Sequence, residues 1–371
     1  MSHRPTQTSS YVQQASALDA AGNHDGAIDV LANATRAGDL DAMVMLGKRL
    51  MVGDRAPYLP KDGVGLVLEA AAKLNAEALA QLAALQCIGL YQRKDWQDAL
   101  RTLGQAAQQG WEPARAQLRL LAPETTDSAQ DRTTNMARNS GDFAARGVAV
   151  DDWSAVARLI DIDAWMQVPP ARMLSDAPRI VAIDGFIPRA WCRYFIALAA
   201  ARLKPALVYD AASTRNYRSQ TRTNSIAEFN LVENEVLHFL LQERMSRACG
   251  VPMHHMEGSA ILNYQPGQEI GNHYDFVAPE LPNYRDEIAV NGQRIVTFLV
   301  YLNDDYDDGA TVFPAIGLRN KGRAGEGLYF VNALPDGSPD LRTLHAGTAP
   351  QRAEKWIVSQ FIRNRPVKYV L

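Results

Sequence analysis

The sequence predicts an α+β chain, in which an N-terminal array of helical repeats is followed by a double-stranded β-helix, or jelly roll, with flanking helices. Three observations predict this. The first 120 residues repeat their small and apolar positions at a step of 36. Beyond Arg179, helical patterns come first and a run of strand-like segments separated by turns follows. Within that run, His273 and Asp275 stand two residues apart and are answered far downstream by His345.

The repeat is carried by four sets of residues at one period: Ala34, Ala70 and Ala106; Ala42, Ala78 and Ala114; Leu46, Leu82 and Leu118; and Leu31, Val67 and Leu103. Apolar residues inside each unit recur at helical spacing, and Gly38 and Gly110 fall where one helix must end and the next begin. A period in the thirties with two helices per unit resembles the tetratricopeptide class, and the small-residue pattern is closest to Sel1-like repeats. The expected form is a right-handed stack of helical hairpins, which either presents a concave surface to a protein partner or caps the rest of the chain.

From Pro123 to Arg146 the composition turns polar and the periodicity fades. The expected organisation is therefore a repeat domain over 1–122, a linker over 123–149 and a second domain over 150–371 with its core at 178–366. In that second part, Val150 to Met166 reads as a helix docked on the jelly roll and ended by Pro169-Pro170. Arg179 to Ile183 reads as a strand, and Arg189 to Arg202 and Asn230 to Cys249 as helices. From Ser259 onward strands are expected with no helix of comparable length. Pro279 to Gly292, long and polar, reads as a loop near an entrance.

Residues i and i+2 of an extended segment point to one face, with Cα atoms ~6.5 to 7 Å apart, so His273 and Asp275 can converge on one ion. With His345 from another strand they make two imidazoles and a carboxylate, a set that leaves coordination positions open and suits iron(II). Ten residues after His345, Lys355 opens the strand-like run Lys355 to Ile362. Lys355, Ile357, Ser359 and Phe361 share one face of it. If that face looks into a barrel, the ammonium needs an anion to neutralise it; otherwise Lys355 sits in water at the strand's mouth.

These residues, with Arg222-Thr223-Asn224-Ser225, Leu262-Asn263-Tyr264-Gln265-Pro266-Gly267-Gln268, the run Gln293 to Asn303, and Asp308-Gly309-Ala310-Thr311-Val312-Phe313-Pro314, resemble the prolyl 4-hydroxylase type of 2-oxoglutarate- and iron(II)-dependent dioxygenases over Pro178 to Pro366. The resemblance implies that His273, Asp275 and His345 are the catalytic metal ligands and that Lys355 pairs with the far carboxylate of 2-oxoglutarate. It implies that Tyr264 and Tyr301 line the co-substrate pocket. Strand parity places Thr297 beside Tyr301 on an inward face, where it is expected to meet the co-substrate. Arg294 matches an arginine that contacts peptide substrate. Its parity is opposite to that of Thr297, so it acts from the strand's mouth or is a solvated surface arginine. The implied cofactors are Fe(II), 2-oxoglutarate and O2, with ascorbate as reductant.

Two positions depart from the family's pattern: Ile270 stands where a tyrosine is usual, and Phe361 where a tryptophan is. Both border the substrate rather than the metal. The expected reaction is hydroxylation of an aliphatic C–H of a prolyl or similar residue in a peptide or protein. The alternative substrate is a free cyclic amino acid such as proline or pipecolate. A reading from another class is a non-catalytic, repeat-based binding protein, which the retention of all three ligands and the lysine disfavours.

The bulk numbers are those of an ordinary globular protein of two or three domains: 371 residues, 47% apolar and 21% charged. A net charge of -3 offers no field for holding nucleic acid. Cys87, Cys192 and Cys249 are too scattered for a disulfide framework, and no stretch approaches the ~20 apolar residues of a membrane span, so cytoplasm is the expected location. The oligomeric state is left open.

Overall fold

The computed structural model describes residues 9–122, 151–210, 215–217, 221–280 and 282–367. The expected linker lies outside them. The chain divides into two compact units: one holds the described residues up to Met166 together with Asn230–Leu240, and the other holds the described residues of Gln167–Phe229 and those from Leu241 to Val367.

The first unit is helical. After α1 (Ser10–Ala20) come α2 (His24–Arg36) with α3 (Leu40–Val52), α4 (Pro60–Ala72) with α5 (Ala76–Ile88), and α6 (Trp96–Gln108) with α7 (Glu112–Leu121). The first helices of the three pairs start at 24, 60 and 96 and the second at 40, 76 and 112, so the 36-residue step of the sequence is the step of the structure. Caps are set by the side chains the sequence supplies. Asn23, Asp39, Asn75 and Asp95 each accept a hydrogen bond from a backbone N–H of the first turn, which satisfies donors that a helix start leaves unpaired. Ala42, Ala78, Ala114, Leu31, Val67, Leu103 and Leu118 are fully buried, and Leu82 is half-buried.

One repeat breaks the turn pattern. Gly38 and Gly110 take left-handed backbone at φ +89° and +96°, and the equivalent position is filled by Leu74 at φ +61° with its side chain exposed. A Cβ there is strained, and burial offers no compensation.

The stretch read as one helix docked on the jelly roll is two short helices, α8 (Trp153–Arg158) and α9 (Ile162–Trp165), restarted by Asp161, whose carboxylate caps Ala164 N–H. They pack on the repeats instead. Trp153 lies under the guanidiniums of Arg115 and Arg119, Ala157 lies against Gly104, and the Trp165 indole donates to Leu121 O at 2.8 Å. Periodicity predicts a helix; it does not say which surface covers its apolar face.

The second unit is built on β-strands. β1 (Arg172–Asp176) and β2 (Arg179–Ile183) precede α10 (Arg189–Ala200). β3 (Lys204–Pro205), β4 (Val208–Asp210), β5 (Arg215–Tyr217) and β6 (Ser225–Phe229) follow, then α11 (Val236–Cys249), of which the residues up to Leu240 are counted with the first unit. That helix begins six residues later than the apolar pattern suggested. Asn230 instead makes a side-chain turn, accepting from Val232 N–H while its own N–H donates to Glu233.

The remaining strands are β7 (Ser259–Tyr264), β8 (Ile270–His273), β9 (Arg294–Tyr301), β10 (Thr311–Phe313), β11 (Leu318–Asn320), β12 (Gly327–Val331), β13 (His345–Gly347) and β14 (Lys355–Arg363). They form an eight-stranded sheet ordered β1-β2-β12-β9-β14-β7-β6-β3 and a four-stranded sheet ordered β11-β10-β13-β8, every pairing antiparallel. This is the expected double-stranded β-helix. Its core joins Ile180, Leu262, Leu299, Leu328, Phe330 and Ile357 of the larger sheet to Phe313 of the smaller one. Each such side chain contributes roughly 1.5–3 kcal/mol on burial, and together they fix the spacing of the two sheets.

Pro279 to Gly292 is not the loop expected of it, since it contains α12 (Pro282–Asn291). The helix is held by charge rather than by an apolar stripe. Glu287 bonds Arg363, and Arg365 donates to Ala289 O at 2.9 Å. The buried amide of Gln293 accepts from Val277 N–H and donates to Val277 O, both at 2.7 Å, so the excursion is closed at its base.

Candidate metal centre

β8 ends at His273 and β13 begins at His345, and these two are direct partners in the antiparallel ladder. This register explains how residues 72 positions apart meet. Their ring centroids lie 4.1 Å apart. Asp275 follows His273 by two residues, and the three side chains present ligand atoms all within 4.8 Å of one another. His273 Nε2 is 3.4 Å from Asp275 Oδ1, and His345 Nε2 is 3.3 Å from Oδ2.

The outer nitrogens decide the chemistry of this cluster. His273 Nδ1 lies 2.9 Å from Gly271 O, and His345 Nδ1 lies 3.0 Å from Thr343 O. A carbonyl only accepts, so both Nδ1 atoms carry hydrogen and both neutral rings aim an Nε2 lone pair at the carboxylate. Three lone-pair donors facing one another repel unless a cation or proton lies among them. Without a metal, protons do this. Burial would lower the pKa of His273, but its hydrogen bond to Asp275 and that charge raise it. Burial would raise the pKa of Asp275, but the charge of His345 and the hydrogen bonds from both rings hold it well below the usual carboxylate range. A divalent metal fits the same place, with imidazole and carboxylate donors and outer-shell carbonyls that set both tautomers. Phe313 stacks on the His345 ring and Phe330 meets it edge-on, a dry wall on one side.

Lys355 is 1% exposed and lies directly opposite Tyr264 in the β14–β7 ladder. Its ammonium sits 5.2 Å from the Tyr264 ring and 5.8 Å from the Tyr301 ring. Among the described residues no acceptor hydrogen-bonds it, and burial lowers its pKa from an ordinary 10.5 to about 7, with Asp308 acting weakly the other way. The lysine therefore faces into the barrel and is not in water at the strand's mouth. Gly347 connects it to the metal cluster: it follows His345 by two residues on the same face. A Cβ there would lie 3.0 Å from Ile270 Cγ2, 3.8 Å from Tyr264 Oη and 4.0 Å from Lys355 Nζ.

Tyr264 and Tyr301 are both buried, and burial raises both pKa values, that of Tyr301 to about 12. The Tyr301 hydroxyl is tied to Thr311 at 2.8 Å. Thr297, expected to meet the co-substrate, donates to Asp275 Oδ2 at 2.8 Å, which ties its hydroxyl to the carboxylate of the candidate cluster.

The parity argument for Arg294 is corrected by a bulge. Phe361 pairs with Thr297 and Ile362 with Val296, but Arg363 then pairs with Arg294, leaving Ile295 as an extra residue. Arg294 is thereby turned onto the Phe361 face, its guanidinium 3.9 Å over that ring and forked onto Glu257 at 2.7 and 2.8 Å. At the first position of β9 it is partly buried in this contact rather than free in solvent. Ile270 and Phe361 are both half-buried, the former against Gly347.

Three residues near the site carried no assigned role. Arg222 bridges to Ile270, its charge opposes in part the raised pKa values of Tyr264 and His273, and its buried Nε has no hydrogen-bond partner among the described residues. Gly347 was readable from alternation, because a residue two beyond a ligand on a strand shares its face. Asn332, which donates to Thr297 at 3.0 Å, gave no local signal and emerges only from the sheet register.

Residues 259–363 match the sequence profile of the 2OG-Fe(II) oxygenase superfamily. The chain is 32% identical over 214 residues to a probable prolyl 4-hydroxylase 9 of Arabidopsis thaliana, spanning 53% of this chain and 72% of that one. Among solved structures it is similar to the viral collagen prolyl hydroxylase of Paramecium Bursaria Chlorella virus-1 in complex with 2OG, at 25% identity and TM-score 0.40 over 51% of this chain and 98% of that one. It is also similar to a Sel1 repeat protein from Oxalobacter formigenes, at 17% identity and TM-score 0.29 over 42% and 60%. With the histidine–aspartate–histidine cluster and the buried lysine in place, the chain belongs to the prolyl 4-hydroxylase family of 2-oxoglutarate- and iron(II)-dependent dioxygenases.

Proposed function

We propose that the chain hydroxylates an aliphatic carbon of a prolyl or similar residue in a peptide or protein, with iron(II) held by His273, Asp275 and His345 and 2-oxoglutarate anchored by Lys355. The observation that carries this is a buried ammonium to which no acid hydrogen-bonds among the described residues, lying beside Gly347, one same-face step along β13 from a three-donor cluster. A cation so buried is costly alone. A five-carbon diacid that meets the metal at one end and Lys355 at the other neutralises it.

Iron(II), when bound, supplies the activation of O2 that couples decarboxylation of 2-oxoglutarate to oxygen transfer. The residues of the chain orient and exclude. The two outer carbonyls aim the imidazoles, Gly347 leaves room beside Tyr264 and Lys355, and Phe313 and Phe330 keep water from the His345 side. Ascorbate as reductant belongs to the same proposal.

A polypeptide substrate is supported by the relatives, whose names are those of prolyl hydroxylases. A protein partner on the helical repeats is proposed with it. The catalytic core proposed spans 178–366. A cytoplasmic location is proposed with it, as Cys87, Cys192 and Cys249 form no disulfide among the described residues. Among the described residues no helix is long and apolar enough to cross a membrane.

The test is succinate release by the iron-loaded protein against proline-containing peptides, free proline and pipecolate. Stimulation by the peptides alone is expected. Stimulation by the free amino acids alone would replace the polypeptide reading.

A further inference from the structure

We propose that Thr297 and Asn332 form a positioning relay that fixes the rotation of the Asp275 carboxylate and so sets the affinity and ligand field of the metal. This deepens the reading of Asp275 as a ligand and rests on it.

The direction of the relay follows from the donors. Asn332 Nδ2 can only donate, and it lies 3.0 Å from Thr297 Oγ1. With a donor already pointed at its oxygen, the threonine has one proton left to place, and Asp275 Oδ2 is 2.8 Å away. An ionised carboxylate only accepts, so the chain of bonds runs one way, from amide to hydroxyl to carboxylate. All three residues are buried, Thr297 at 1% and Asn332 at 0% exposure, so water does not compete for these bonds.

Rigid backbone anchors the relay. Thr297 lies in the middle of β9, opposite Phe330 on one side and Phe361 on the other. Asn332 follows β12, on the face of Phe330 and diagonal to Thr297. Its N–H donates to Ile295 O at 2.8 Å, and its carbonyl accepts from Asp340 N–H at 2.9 Å. Its own Oδ1 has no hydrogen-bond partner among the described residues. An amide satisfied at one end only is a costly way to fill core space. Its useful end is the one that meets Thr297.

The test is Mn(II) affinity together with the ligand-field spectrum of the Co(II)-loaded protein, in Thr297→Ser, Thr297→Val, Asn332→Leu and the Val/Leu double variant, with His345→Ala as control. Thr297→Ser keeps the hydroxyl and should stay near wild type. Thr297→Val should bind Mn(II) roughly 10- to 100-fold more weakly, the range usual for lost outer-shell partners, with an altered Co(II) spectrum. Asn332→Leu should fall between the two. The double variant should match Thr297→Val alone, because Asn332 acts only through the hydroxyl. If Thr297→Val does not fold, Asn332→Leu with Thr297→Ser gives the same comparison. Wild-type affinity and spectrum in both the Val and Leu variants, or additive losses in the double variant, would overturn the relay while leaving the metal centre standing. Wild-type protein that binds metal no better than His345→Ala would instead overturn the metal centre and the relay with it.

Discussion

Lys355 and Tyr264 are direct partners across the β14–β7 ladder, and the ammonium of one lies 5.2 Å from the ring of the other inside the barrel. The pairing fixes the floor of the proposed co-substrate pocket by backbone hydrogen bonds rather than by flexible side chains. Ile357, two residues further along β14, pairs with Tyr301 in the same way. Both aromatic rings therefore reach the lysine from neighbouring strands.

Replacing Lys355 by Met should separate binding from folding. Removing one partner of a buried ion pair costs about 3–5 kcal/mol, so KM for 2-oxoglutarate should rise by two orders of magnitude or more while Mn(II) affinity stays near wild type. The protein without co-substrate should gain about 1–4 kcal/mol of stability, since an apolar chain replaces an unneutralised charge. Steady-state kinetics and chemical denaturation read the two effects.

The same lysine should make co-substrate binding take up protons. Its pKa is near 7 in the folded protein and near 10.5 when unfolded. The unfolded state thus binds more protons between those values, and stability should rise with pH across that window and level off below it. A bound diacid favours the charged lysine, so binding at pH 8 to 9 should draw a proton from buffer. Titration calorimetry in two buffers of different ionisation enthalpy measures this, and the Lys355→Met protein should show no such uptake.

Gly347 offers a steric test. A methyl group there would stand 3.0 Å from Ile270 Cγ2 and 4.0 Å from Lys355 Nζ. Gly347→Val should raise KM for 2-oxoglutarate more than Gly347→Ala, by roughly tenfold or more if contact with the diacid is lost, with metal binding retained in both.

Much of this was legible because it depends on local pattern. The two-residue spacing brought His273 and Asp275 together, although Asp275 lies in a bend just past β8 and not on the strand; alternation grouped Lys355 with Ile357, Ser359 and Phe361 on one face, and the 36-residue step fixed the repeat helices. What escaped depends on pairing between strands. The bulge that leaves Ile295 unpaired reverses the parity of Arg294, and nothing in the run Gln293 to Tyr301 announces it. Asn332 reaches Thr297 only through the β12–β9 register. The helix at Pro282–Asn291 is held by Glu287 and Arg365 rather than by an apolar stripe, so its sequence looks like a loop.

Leu74 gives an independent check on the repeats. Glycine at this left-handed position would remove a strain of about 1–2 kcal/mol, partly offset by the extra freedom glycine has when unfolded. Leu74→Gly should therefore stabilise the protein by about 0.5–1 kcal/mol, read as a higher midpoint in urea, and should leave 2-oxoglutarate turnover unchanged.

The most direct test of the account is an anomalous difference map, recorded at the iron edge, from anaerobic crystals grown with Fe(II) and 2-oxoglutarate. It should show one peak bonded to His273 Nε2, His345 Nε2 and an Asp275 oxygen, with the diacid running from it past Gly347 to Lys355 Nζ, and no such peak in Asp275→Ala. Iron bound elsewhere, or a diacid that leaves Lys355 uncontacted, would contradict it.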